Sequence, residues 1–173
     1  LAFLGRNLGD RRRLSRLYLG GGIPISFNEA ALERLYRMIT AHLSPAPDAE
    51  MAVEIDPTVT SRDQLALLRR LGWNRLSFGV QDFDPAVQRA VNRIQPYEMT
   101  RDVFNAARAS GFRSLNIDLI YGLPHQTEES FLHDLRTIAA VGVPSLTLYS
   151  LRSNERTPRS ARRRSPTCAW WAT

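Results

Sequence analysis

Arg16-Leu17-Tyr18-Leu19-Gly20-Gly21-Gly22-Ile23-Pro24 reads as a short strand that runs into three glycines and on towards a helix. Consecutive glycines have no use inside a strand or helix, where each costs roughly 0.5–1 kcal/mol relative to Ala. The run therefore predicts a point where something approaches the backbone closely. Downstream, Ser26-Phe27-Asn28-Glu29 has capping-box spacing and precedes Leu32, Leu35, Tyr36, Ile39 and Leu43 at helical intervals. That is one strand–helix unit, and the unit recurs.

Residues 51–55 form the next apolar run, Asp56-Pro57 breaks it, and Ser61-Arg62-Asp63-Gln64 caps a helix bearing Leu65, Leu67, Leu68 and Leu71 that stops at Gly72. Residues 75–79 make a third strand, and Asp84-Pro85 supplies an N-cap and an N1 proline for a short helix with Val87 and Val91. Thr100 is expected to start a further helix with Val103, Phe104 and Ala107, ending at Gly111. Residues 114–119 are the fourth strand, Thr127 caps a helix with Phe131, Leu132, Leu135 and Ile138, and residues 145–150 are the fifth strand. Strands alternating with helices at intervals of roughly thirty residues predict successive βαβ units and a parallel α/β sheet. Periodicity leaves open whether that sheet is doubly wound or an arc of a (β/α) barrel.

The composition, 43% hydrophobic and 23% charged over 173 residues, is that of one globular domain or part of one. A net charge of +6 and a pI near 10.4 invite a nucleic-acid reading. Residues 1–151, however, hold 17 Arg against 16 acids, and residues 152–173 hold 6 Arg against Glu155 alone. The basicity thus belongs to a tail that reads as disordered or non-native, because it has no amphipathic period, contains Arg162-Arg163-Arg164 and ends near Trp170-Trp171. Neither a nucleic-acid nor a membrane partner is expected, and the expected compartment is the cytoplasm. The one cysteine, Cys168, lies in that tail, so no metal constellation is expected from this chain.

In parallel α/β folds ligands gather beyond the carboxyl ends of the strands, and the distinctive polar residues gather there too. Gly20–Gly22 follow strand one, Glu54 and Asp56 close strand two, Gln81 and Asp82 follow strand three, Asp118 sits in strand four, and Tyr149 ends strand five. Each has a plainer use. Asp56 can serve as a turn residue, Asp82 as a cap, Tyr121 as core, and His125 and His133 as ordinary loop and helix positions. Asp118, between Ile117 and Leu119, needs a partner or a ligand. The glycine run lacks the Lys-Ser/Thr of a phosphate loop, and there is no Ser/His/Asp or Cys/His set. Glycine carbonyls, carboxylates, Gln and Arg together suit a ligand with an ammonium, hydroxyls and a carboxylate, as S-adenosylmethionine has.

The strings YLGGGIP, VEIDP, NRLSFGVQDFDPAVQRAVNRIQP and SLNIDLIYGLPHQT, spanning about residues 16–150, resemble in order and spacing the oxygen-independent coproporphyrinogen III oxidase family of radical SAM enzymes. The resemblance implies a partial (β/α)6 barrel, truncated at its N-terminal strand and at its C-terminus. It places Gly21 and Gly22 against the methionyl part of S-adenosylmethionine, Glu54 and Arg93 on its polar groups, and Gln81 and Asp118 near the ribose. In such enzymes a [4Fe-4S] cluster cleaves S-adenosylmethionine, and the resulting radical abstracts hydrogen from a propionate that loses CO2 to become vinyl. Two such steps give protoporphyrinogen IX in haem biosynthesis, with an outside electron donor. The family's CxxxCxxC motif precedes the glycine run and is absent here, so the chain alone is expected to hold no cluster and to be inactive. Ile23 stands where the family has Thr, and the sequence after Tyr149 departs from the oxidase pattern. That departure keeps open a radical SAM methyltransferase or cyclopropanase of secondary metabolism, and a non-catalytic truncated product. The haem-chaperone branch fits EIDP and GVQDF less well.

Overall fold

Five strands, β1 (Arg13–Leu19), β2 (Ser44–Ile55), β3 (Arg75–Gln81), β4 (Ser114–Tyr121) and β5 (Ser145–Ser150), lie side by side in chain order, and every neighbouring pair is parallel. The computed structural model describes residues 6–7, 13–21 and 27–151. A doubly wound sheet would reverse its strand order part-way. An unbroken 1-2-3-4-5 order is instead an arc that curls, and the sheet is a half-barrel. The tail at 152–173, Gly22 and Ile23 lie outside the described residues. No helix among the described residues is long and apolar enough to cross a membrane.

Among the described residues, the helices of more than one turn are α1 (Glu29–Thr40), α2 (Arg62–Arg70), α3 (Pro85–Ala90), α4 (Tyr97–Ala109) and α5 (Glu128–Val141). Side-chain alternation along the strands decides what they cover. Met51, Val53 and Ile55, Leu76, Phe78 and Val80, and Leu115, Ile117 and Leu119 point to one face and form the core with Leu65 and Leu68 of α2, Phe104 of α4, and Phe131 and Ile138 of α5. The other face carries Glu54, Ser77, Gly79, Asn116, Asp118, Thr147 and Tyr149, a polar row across the inside of the arc.

Several helix starts are where local chemistry puts them. Ser61 and Gln64 form a reciprocal capping box, and Asp84 caps α3 through the amides of Ala86 and Val87. Thr127 caps α5 in a second box closed by Ser130, and Gly142 ends that helix at φ 70°. Thr127→Ala is expected to cost about 1 kcal/mol in urea unfolding; an unchanged midpoint would contradict the capping role.

Three boundaries differ from expectation. The cap of α1 is Asn28, whose side chain accepts from Ala31 N–H at 2.9 Å, and Glu29 opens the helix; Ser26 lies outside the described residues. Helix α4 begins one turn before Thr100, which is buried and accepts from Gln95 Nε2 at 2.9 Å. Strand β2 begins at Ser44, not Met51, despite Pro45 and Pro47. Its first half pairs only with β1, since pairing to β3 starts at Ala52, and prolines are tolerated where one side of a strand is open.

Candidate functional site

Glu54, near the end of β2, is held from the β1 side. Its Oε1 accepts from the Tyr18 hydroxyl and its Oε2 from the Gly21 backbone N–H at 2.9 Å. A Cβ on Gly20 would collide with the Tyr18 ring and lie 2.8 Å from Glu54 Oε1 and 2.9 Å from its Cδ. The close approach expected of the glycine run is thus made, at Gly20, by the chain's own side chains. Gly21 is needed for a different reason: its φ is 88°, in the left-handed region, although a Cβ there would meet none of the described residues within 4 Å. Burial, then the hydrogen bond to Glu54, push the Tyr18 hydroxyl pKa above its ordinary value.

Asp118 lies further along the same polar row. Its Oδ2 accepts from Ser77 Oγ at 2.8 Å and its Oδ1 from Asn116 Nδ2 at 2.7 Å. Asn116 is itself fixed by Ser145, which donates to its Oδ1 at 2.8 Å. The carboxyl has the protein partners its burial requires, yet its pKa is pushed up, by desolvation first and also by the charge of Glu54, against the lowering effect of those bonds. Across the rim, the charge of Asp118 is the main reason the Tyr149 hydroxyl is also pushed up. Neither Glu54 nor Asp118 has an ion-pair partner among the described residues. This side of the rim therefore carries uncompensated negative charge with spare lone pairs, suited to a cation and to hydroxyl donors.

A second group stands beside it. Gln81 adopts φ 74° at a bulge where β3 slips its register against β4, a strained arrangement that re-aims the side chain. Arg93 Nη2 donates to Gly79 O at 2.7 Å and pairs with Asp56 Oδ2 at 2.9 Å, and its Nε reaches Gln95 Oε1 at 3.2 Å. Asp56 uses its other oxygen as a turn cap, accepting from Thr58 N–H at 2.9 Å. A Cβ on Gly79 would be in ordinary contact with both Arg93 Nη2 and Gln81 Nε2 at 3.4 Å, so the amide and the guanidinium converge over this residue. They open onto a cavity of about 550 Å³ lined also by Asp56, Ile94, Ile120 and Leu123.

A family model described as the radical SAM superfamily matches residues 5–138, more than three quarters of the chain. The chain belongs to the radical SAM superfamily. It is 45% identical over 139 residues to the oxygen-independent coproporphyrinogen III oxidase of Escherichia coli K12, covering 80% of this chain and 30% of that protein. With the enzyme of the same name from Pseudomonas aeruginosa it shares 39% over 152 residues, 87% of this chain and 33% of the relative. Among solved structures, the coproporphyrinogen III oxidase of E. coli, described as a radical SAM enzyme, superposes with a TM-score of 0.81 at 38% identity, covering 94% of this chain and 39% of that one. A radical S-adenosylmethionine methyltransferase from Kitasatospora setae (TM-score 0.65, 14% identity, 86% of this chain and 30% of that one) shares the fold. The chain spans about a third of the length of the curated relatives it matches.

Radical SAM enzymes use S-adenosylmethionine and a [4Fe-4S] cluster, and the rim fits the first of these. Glu54 and Asp118 offer carboxylates with no ion-pair partner among the described residues, and Arg93 Nη1 takes no part in the bonds that anchor its guanidinium. The cluster does not fit these 173 residues, whose single cysteine cannot supply its set of thiolates. Of the residues singled out from sequence, Gly21 and Glu54 are in direct contact, Asp118 faces them, and Gln81 and Arg93 meet over Gly79; Gly22 lies outside the described residues. Sequence reasoning passed over Tyr18, Ser77 and Asn116. Strict alternation would have found them, since each sits between residues of the core face: Leu17 and Leu19, Leu76 and Phe78, Leu115 and Ile117.

Proposed function

We propose that this chain is the S-adenosylmethionine-binding part of a radical SAM enzyme of the oxygen-independent coproporphyrinogen III oxidase type, acting in the cytoplasm with an outside electron donor. The observation that carries the reading is the unpaired Glu54–Asp118 side of the rim, next to the Gln81–Arg93 pair, on a chain 45% identical to an oxidase of that name. Glu54, already braced by Tyr18 and Gly21, receives the ligand's ammonium group. Gly21 and Gly22 lie along the methionyl part, Arg93 turns its remaining N–H groups to the carboxylate, and Gln81 and Asp118 hold the ribose hydroxyls. When bound beside a reduced cluster, S-adenosylmethionine supplies the one-electron chemistry by which a propionate loses CO2 and becomes a vinyl. The cysteines that hold the cluster have to come from outside these 173 residues, so the chain by itself is inactive.

Isothermal titration of S-adenosylmethionine into the chain tests the site. Saturable binding is expected, weakened about tenfold to a hundredfold by Glu54→Gln, because a hydrogen bond to a charged group contributes about 1.5–3 kcal/mol; no binding by the unaltered chain would overturn the assignment. An anaerobic assay of the complete gene product with coproporphyrinogen III tests the reaction. Release of two CO2 per substrate is expected, and methyl transfer without CO2 release would replace the oxidase reading with the methyltransferase one.

A further inference from the structure

Behind the rim lie two carboxyl groups that the proposed site does not use. Asp82, just after β3, and Asp134, in the middle of α5, are each 1% exposed, and neither has an ion-pair partner among the described residues. Asp82 Oδ1 accepts from Asp84 N–H at 2.7 Å and its Oδ2 from Gln126 Nε2 at 2.6 Å. Asp134 Oδ2 accepts from Phe83 N–H at 3.2 Å, whereas its Oδ1 is buried with no donor. The Phe83 N–H that Asp134 accepts belongs to the residue next to Asp82, so the two carboxyls come together where the loop after β3 meets α5. Two ionised carboxylates so placed would repel in a site from which water is excluded, and one oxygen would remain unsatisfied. A single proton between them removes both penalties.

We propose that Asp82 and Asp134 share one proton, and that this carboxyl pair is the positioning clamp that holds the Gln81 loop against α5. The pair's reach extends further through Gln126. Gln126 Nε2 also donates to Ile120 O at 2.9 Å, and its Oε1 accepts from Gly122 N–H at 2.6 Å. The ends of β3 and β4, which carry Gln81 and Asp118, are therefore tied to one buried acid pair. Gln81 sits in a left-handed conformation that persists only where its surroundings over-determine it, and the residue next to it is Asp82.

The charged and titratable groups around the pair do not replace the proton. Asp84, on the same loop, adds like charge to both carboxyls. Tyr97 of α4 and Glu129, His133 and Arg136 of α5 line the groove of about 750 Å³ beside Asp134, and none of them pairs with it. Desolvation, then the charge of Asp82, push Asp134 up to about 7, and desolvation likewise pushes Asp82 up. The folded pair keeps a proton that the unfolded carboxyls release above their ordinary value of 3.8. This contribution to stability is therefore complete below about pH 4 and is lost as pH rises towards 7.

The test uses the full chain and Asp134→Asn, whose amide supplies permanently the donor that the shared proton provides. The unfolding constant of the unaltered chain, relative to the variant, is expected to rise by up to tenfold per pH unit between about pH 4 and 7 and then level off. Infrared difference spectra at pH 6 are expected to show a protonated carboxylic acid band that Asp134→Asn or Asp82→Asn abolishes. A flat stability difference, or a band untouched by both substitutions, overturns the proposal. Should neither variant fold, titration of the unaltered chain decides. Bleaching of the acid band near pH 7 supports the shared proton, and absence of any such band at pH 6 refutes it. None of these readouts depends on S-adenosylmethionine binding.

Discussion

Phe104→Ala is expected to lower the stability of the chain by about 3–5 kcal/mol, a large part of the roughly 5–15 kcal/mol that holds a domain folded. Phe104 is 0% exposed on α4, and its ring lies 5.3 Å from that of Phe78, which is equally buried on the helix-facing side of β3. The pair is where the sheet's apolar face meets its covering helix. Loss of either ring forfeits its transfer free energy and leaves a cavity between rigid elements that collapse poorly around it. Arg108 adds a second constraint, since its guanidinium stands 4.9 Å from the centre of the Phe104 ring. Phe78→Ala should cost a similar amount. The double variant should cost less than the sum, because each ring is part of the other's wall. Urea denaturation followed by circular dichroism measures all three, and a loss below about 1 kcal/mol for Phe104→Ala would mean that α4 does not seal this core.

The parts of this fold legible in the sequence are those fixed within a few residues. Ser61 with Gln64, Asp84 with Pro85, and Thr127 announce their helices because a cap is a local hydrogen bond, and Gly142 ends α5 because only its own φ is at issue. Contacts between distant segments were not legible. Asp56 reads as a turn residue and is one, yet it also neutralises Arg93, a pairing across 37 positions that no window contains. Thr100 looks like a cap and instead accepts a hydrogen bond from Gln95 inside α4. Prolines 45 and 47 hide the first half of β2, because sequence does not say which side of a strand is open. Asp134, on a helix face between Phe131 and Ile138, gives no sign in sequence that it meets Asp82. The candidate residues read as a set because successive parallel strands bring their carboxyl ends to one rim, whatever the distance between them along the chain.

Asp118→Asn is expected to move stability and binding in opposite directions. In the ligand-free chain Asp118 is a buried carboxylate whose pKa is raised by desolvation first and also by Glu54, so its ionised form is held at a cost. An amide keeps an oxygen for Asn116 Nδ2 and turns its NH2 towards Ser77 Oγ, which can accept, so the hydrogen-bonded row from β3 to β5 survives without the charge. The sign with pH follows from the raised value. The folded protein binds this proton more tightly than the unfolded chain does, so the carboxyl's contribution falls as pH rises above 3.8. The variant should match the parent in acid and exceed it at neutral pH. Binding responds to the same charge with the opposite sign. On the proposed reading Asp118 accepts from a ribose hydroxyl and adds to the negative field that favours the sulfonium, and losing a charged acceptor contributing about 1.5–3 kcal/mol weakens S-adenosylmethionine about tenfold to a hundredfold. Thermal unfolding across pH together with calorimetric titration separates the outcomes. A variant that is more stable and binds weakly places Asp118 among the residues that keep a costly charge for a ligand. A variant that is less stable and binds as well as the parent would make Asp118 a structural member of the strand network, and the binding role would pass to Glu54 and Gln81.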